Sequence, residues 1–162
     1  MKQIAREHFS LRKLKLKRST GSITIEWESS QSTETSDEVV GFSQSGNDYP
    51  HPDLVKELSS LTPQVVKVFS ISKEDLVVVT GIAIAGAKEN KACIITAEIQ
   101  TDAGIPVGIA THRIKFEDNI YGFEEELYDR CNRIEEEAYE YIYNDKKSQL
   151  SIFGANEEQE QE

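Results

Sequence analysis

The sequence is short of several things that would narrow its function at once. It has two cysteines, Cys93 and Cys131, too few for a disulfide framework, which suits a reducing cytoplasm. Its three histidines, His8, His51 and His112, lie in separate elements with no two at metal-ligand spacing, so no metal site is expected. No apolar run approaches the ~20 residues of a membrane helix. Charges interrupt Met1 to Arg18 throughout, which leaves no apolar signal-peptide core. There is no Walker loop, no G-x-G-x-x-G and no nucleophile elbow. Gly81 and Gly86 flank Ile82-Ala83-Ile84-Ala85, yet no Lys-Ser/Thr follows to complete a phosphate cradle. The pattern points to no catalytic residue, no cofactor and no enzyme.

What the chain does have is charge, unevenly placed. The net charge is -11, yet Met1 to Arg18 holds seven basic residues (Lys2, Arg6, Arg12, Lys13, Lys15, Lys17 and Arg18) against Glu7 alone. Between Glu117 and Asp145, eleven acidic residues face only Arg130 and Arg133. A basic end on an acidic body suits an intermolecular contact, or a contact between the two parts of one chain.

Apolar periodicity supplies the fold. Leu11 to Glu28 alternates as a β-hairpin, with a two-residue turn at Thr20-Gly21. That turn sets Leu16 against Ile25 and Leu14 against Trp27, and gives Lys15 and Lys13 the partners Glu26 and Glu28. Residues 29–50 are rich in Ser, Thr, Gln, Asp and Gly and read as a flexible loop, with a short strand at Val39–Phe42. Pro52–Leu61 reads as a short helix with Pro in its first turn. Gln64–Ile71, Leu76–Ala85, Ala92–Gln100 and Ile105–Phe116 read as strands, the last three as an antiparallel meander. Leu76–Ala85 is apolar on both faces and belongs at the centre of the sheet. In Ile105–Phe116 the apolar phase switches, and a bulge near Gly108–Ala110 would restore it. Phe123 to about Asn144 carries apolar residues at three- and four-residue steps, the mark of an amphipathic helix. The expected class is α+β: one domain over 1–145, an antiparallel sheet with a long acidic C-terminal helix packed on one face. A disordered tail is expected over 146–162.

That tail contains Gln149-Leu150-Ser151-Ile152-Phe153. The string resembles the short peptide by which bacterial and phage DNA-handling proteins dock on the DNA polymerase sliding clamp, with Ile152 in place of the usual Leu. The resemblance implies that Leu150 and Phe153 are anchors in a preformed pocket and that Gln149 is a polar latch with both an amide donor and an acceptor. The alternative for these apolar residues is to fold back onto the domain as a cap. More loosely, the layout of hairpin, Ser-rich loop, meander, acidic helix and Lys-Lys-Ser-Gln-Leu-Ser-Ile-Phe tail resembles small bacteriophage proteins encoded near replication genes. The implied role is that of a non-catalytic accessory protein in DNA replication, repair or takeover of the host replisome.

Two other readings follow from charge. Arg12, Lys13, Lys15, Lys17, Arg18, Arg113 and Lys115 form a candidate surface for single-stranded DNA, although stacked aromatics would normally accompany one. The carboxylates of the long helix could instead mimic DNA toward a DNA-binding protein, as an anti-defence inhibitor does. His112 reads as a partly buried structural histidine, and both cysteines as core residues that helix-on-sheet packing could bring together.

Overall fold

The computed structural model describes residues 3–32, 37–86 and 90–147. The chain forms β1 (Phe9–Lys17), β2 (Ser22–Ser32), β3 (Asp37–Gly46), α1 (Pro52–Ser59), α2 (Thr62–Phe69), β4 (Val77–Ala85), β5 (Ala92–Ile99), β6 (Val107–Ala110), β7 (Ile114–Lys115) and α3 (Glu124–Tyr143). Every strand pair is antiparallel, in the order β3-β2-β1-β4-β5-β6, with β7 also paired to β5. The class is therefore α+β, as the periodicity implied. An N-terminal meander and a C-terminal meander meet where β1 pairs β4, which puts β4 inside the sheet.

The three helices bury one face of this sheet. On that face β1 contributes Phe9, Leu11 and Leu14, and β2 contributes Ile23, Ile25 and Trp27. Val77, Val79, Ile82 and Ile84 of β4, with Cys93, Ile95 and Ala97 of β5, continue it. The helices answer with Leu54, Leu58 and Val65, and with the α3 stripe Leu127, Cys131, Ile134, Ala138 and Tyr141. The step from Leu11 to Leu14, and from Val79 to Ile82, breaks strict alternation. Each break coincides with a register shift, between Leu11 and Lys13 and between Val79 and Gly81. An inserted residue flips the phase, so both halves of each strand keep their apolar side chains inward. Cys93 and Cys131 are core residues whose Sγ atoms lie 3.6 Å apart as free thiols.

An aromatic knot ties the first three strands to α3. The Trp27 ring stacks on Phe42 at 5.6 Å, Phe9 meets Tyr139 edge-on at 5.4 Å, and Trp27 Nε1 donates to the Tyr143 hydroxyl at 3.2 Å. Rings of this size each bury 150–250 Å2, so the knot is a large share of the apolar area removed from water at this end.

Four local expectations are corrected. The hairpin loop has four residues, not two: Gly21 takes a left-handed φ of 67° and donates to Lys17 O at 2.8 Å. The register consequently shifts by two, pairing Leu16 with Ile23, Leu14 with Ile25, Lys15 with Thr24 and Lys13 with Glu26. Residues 29–50, expected as a loop, contain the end of β2 and all of β3, paired from Ile23↔Gly46 to Ser32↔Asp37. The stretch expected as a strand at Gln64–Ile71 lies mostly in α2: Pro63 occupies its first turn, Val65 buries against the sheet, and Ser70 closes it in the left-handed region. Its valines favour a strand only where a pleated neighbour is present, and here the packing is helical. The phase switch in Ile105–Phe116 falls at Thr111 rather than at Gly108–Ala110. There the Thr111 N–H donates to Ile95 O, and its hydroxyl accepts from the Ile95 N–H, before β7 begins.

Gly81 sits where β1 and β4 approach most closely, and a Cβ there would collide with the Leu14 carbonyl oxygen and press on Thr96. Gly81→Ala is expected to cost about 1–3 kcal/mol in urea unfolding, whereas Gly108→Ala, with open space around it, should change stability little.

Candidate functional site

Because the helices cover one face, the alternate residues of β1 stand on the other. Lys13, Lys15 and Lys17 are all exposed there. The corrected register leaves Lys15 between Thr24 and Gly81, and Lys13 between Glu26 and Ala83. Glu28, expected to pair with Lys13, instead holds Arg12 at 2.8 Å, and Arg12 Nη1 also donates to Gly86 O at 3.1 Å. Arg113 reaches the same turn from the other side and donates to Asn90 O at 3.3 Å. Lys115 lies opposite Ala92 on β5. Among the described residues, Lys13, Lys15, Lys17, Arg18 and Lys115 form no ion pair, while Arg6, Arg12, Arg130, Lys146 and Lys147 do.

Between the lysine row and Arg113/Lys115, the positions are Gly81, Ala83, Ala85 and Ala92. Ile94, opposite Ala83, and Thr96, opposite Gly81, complete the strip on β5. Among the described residues no aromatic ring stands on this face to stack on bases, since Trp27 is buried with Phe9 on the opposite one. What this face can do is bind phosphates by charge, without reading bases.

The acidic helix is less of a free surface than its composition suggests. Glu135 bonds Arg6 at 3.1 Å and the Leu11 N–H at 3.0 Å, Glu137 holds Lys146, and Glu126 holds Arg130. Glu124 is buried and accepts from the Tyr121 N–H at 2.6 Å. Its second oxygen has no partner. Burial pushes this carboxyl up, but backbone hydrogen bonds at Tyr121, Glu124, Gly122 and Ile120 together outweigh it and hold it below the usual glutamate value.

Past α3 the chain is anchored rather than released at residue 145. Asp145 takes a φ of 55°, Lys146 bridges Asp53 at 2.9 Å and Glu137 at 3.0 Å, and Lys147 contacts Asp145 at 2.9 Å and Asp48 at 3.3 Å. Lys147 also pairs with Pro50, beside the Tyr141 hydroxyl that donates to Asp48 O. Hydrogen bonding to Asp53, then Glu137, raises the Lys146 ammonium, and the same contact lowers Asp53. Gln149, Leu150, Ser151, Ile152 and Phe153 lie outside the described residues.

Contrary to its expected burial, His112 is exposed, with Nε2 2.6 Å from the Tyr121 hydroxyl. A shallow cleft of about 420 Å3 between Phe116, Tyr128, Lys91, Glu117 and Glu125 went unread in the sequence, because its two rings come from β7's end and α3. Among the described residues there is no cluster of metal-ligating side chains and no helix long and apolar enough to cross a membrane. No protein-family model, curated protein or solved structure matches this chain.

The depressed Glu124 carboxyl stabilises the fold at pH values above its unfolded pKa, and the contribution is lost as pH falls through the folded one. Glu124→Ala is therefore expected to cost about 1–2 kcal/mol at pH 7. The gap to the unaltered protein should close in acid, as followed by urea unfolding across pH.

Proposed function

We propose that this chain is a non-catalytic accessory protein of bacterial or phage DNA metabolism, which docks on the DNA polymerase sliding clamp through Gln149 to Phe153. The observation that carries the reading is the pentapeptide itself, beginning two residues beyond the anchored Lys147. The described core closes without it: the sheet's apolar face is met by α1, α2 and α3. Leu150 and Phe153 would fill the clamp's pocket, Gln149 would fix the strand's entrance, and the α+β body would be cargo held at the replication site in the bacterial cytoplasm. Burying two such side chains contributes about 3–6 kcal/mol before ordering costs, which suits a reversible tether.

Leu150→Ala with Phe153→Ala should lower affinity for a purified bacterial sliding clamp at least ~100-fold, while the melting temperature stays unchanged. Retained capture together with a lower melting temperature would reverse the proposal in favour of a structural cap.

A second reading is favoured by one specific observation, the β1 lysines, which form no ion pair among the described residues. Single-stranded nucleic acid would lie across the uncovered face, its phosphates meeting Lys13, Lys15, Lys17 and Arg18, with Arg113 and Lys115 flanking. Lysines two residues apart on a strand recur every ~6.8 Å, a spacing suited to a row of phosphate contacts. Four such contacts give a slope of log K against log salt near about -3 for a single strand. Lys13→Gln, Lys15→Gln and Lys17→Gln together should reduce that slope by about two units in fluorescence anisotropy with an oligothymidylate. Unchanged binding in the triple variant would remove this reading. The acidic-mimic reading has less support, because Glu124, Glu126, Glu135 and Glu137 already bind groups of this chain.

A further inference from the structure

We propose that β3 is a pairing edge at which two copies of this chain join, antiparallel, into one continuous sheet. An outermost strand presents a row of unpaired N–H and C=O groups, and monomeric proteins blunt such edges by shortness, by charged side chains or proline along the strand, by a bulge, or by a covering segment. Among the described residues β3 has little of this: its only charged residues, Asp37 and Glu38, are its first two, and positions 39–46 carry none. It runs ten residues from Asp37 to Gly46 and contains no Lys, Arg or Pro. Its ladder with β2 is continuous, with no register shift. The opposite margin is built differently: β6 has four residues, the chain leaves the sheet at Thr111, and β7 pairs at only two positions. The bulges that this protein has lie in the interior strands β1 and β4.

Side chains on β3 name the occupant. Val39 is 61% exposed and Val40 46%, both high for valine in a ten-residue strand. Phe42 is half-buried at the margin of the core, stacked on Trp27. An antiparallel register centred on Gly41 sets Val40 of each copy opposite Phe42 of the other, on the helix-covered side. Directly opposed residues in such a pair bring their Cβ atoms within ~4.5–5.5 Å, so the aromatic margin would continue across the axis. The same register places positions 37 and 38 opposite Ser45 and Gln44, so no like charges meet although each copy carries -11.

Gly41 falls on the two-fold axis. A Cβ there would meet nothing within 4 Å in its own chain. Each copy has one such edge, so the isologous contact closes at two and does not propagate. The joined sheet would show two lysine rows on one continuous face and would carry two Gln149–Phe153 peptides, gaining avidity for either partner class. The inference rests on neither reading of function.

The test is sedimentation velocity of the full chain over a concentration series, in which mass should move from 18.3 kDa to twice that value. Val40→Lys should weaken dimerisation at least tenfold. Gly41→Cys should cross-link to itself when diamide oxidises the two facing thiols, and Ser45→Cys should not; the native Cys93 and Cys131 are buried. The cysteine pair keeps the proposal open to refutation should Val40→Lys fail to fold. A chain that remains monomeric to about 1 mM, the weak limit of specific association, overturns it. So does a dimer that Val40→Lys leaves unaltered and that Gly41→Cys does not cross-link. A monomer whose β3 amides resist hydrogen exchange would place another segment of this chain on the edge, and that result also overturns it.

Discussion

The junction of β1 with β4 is short, Lys13↔Ala83 through Lys15↔Gly81, and the rest of the fold hangs from it. It joins two strands that are separated in sequence by β2, β3, α1 and α2, and it requires Gly81 because the Leu14 carbonyl leaves no space for a side chain. Each of the two strands carries one inserted residue near this point. Removing either insertion would turn half of a strand over and drive either lysines or valines to the wrong face. Central pairing, apolar phase and the exposure of the basic row are therefore one constraint seen three ways.

Charge is sorted by that geometry. Several cations outside the lysine row serve the fold: Arg6 ties the N-terminal segment to Glu135, Arg12 ties β1 to Glu28 and the β4–β5 turn, and Lys146 and Lys147 hold the end of α3 against Asp53 of α1 and Asp48 before it. Solvent-exposed pairs of this kind contribute ~0–1 kcal/mol each, and their larger effect is to fix where segments lie. Among the described residues Lys13, Lys15 and Lys17 have no such occupation, and they stand on the sheet face opposite α1, α2 and α3. The protein's net charge is acidic while its open face is basic, so the average charge is a poor guide to what that face attracts.

The sequence was most legible where burial has a simple period. Leu127, Cys131, Ile134 and Ala138 announced α3, and Val77 to Ala85 announced an interior strand, because both patterns arise directly from which side faces the core. It was least legible where another segment supplies the deciding contact. The hairpin register differed by two, and an even shift leaves every side chain on the same face, so alternation could not detect it. β3, rich in Ser and Gly and lying at a sheet margin, has too little apolar content to stand out as a strand. The valines of α2 were ambiguous for the opposite reason, since a short apolar run suits a buried helix as well as a strand.

By itself the sequence determined the α+β class, the two cysteines as core residues, the asymmetry of charge and the pentapeptide after the last helix, because each depends on residue types and on spacing along the chain. Only the tertiary structure decided which carboxylates meet which cations, that Glu28 goes to Arg12 rather than to Lys13, and that β3 is the last strand of the sheet. Those outcomes depend on register and strand order, which are set by contacts between distant segments, and local pattern carries no record of them.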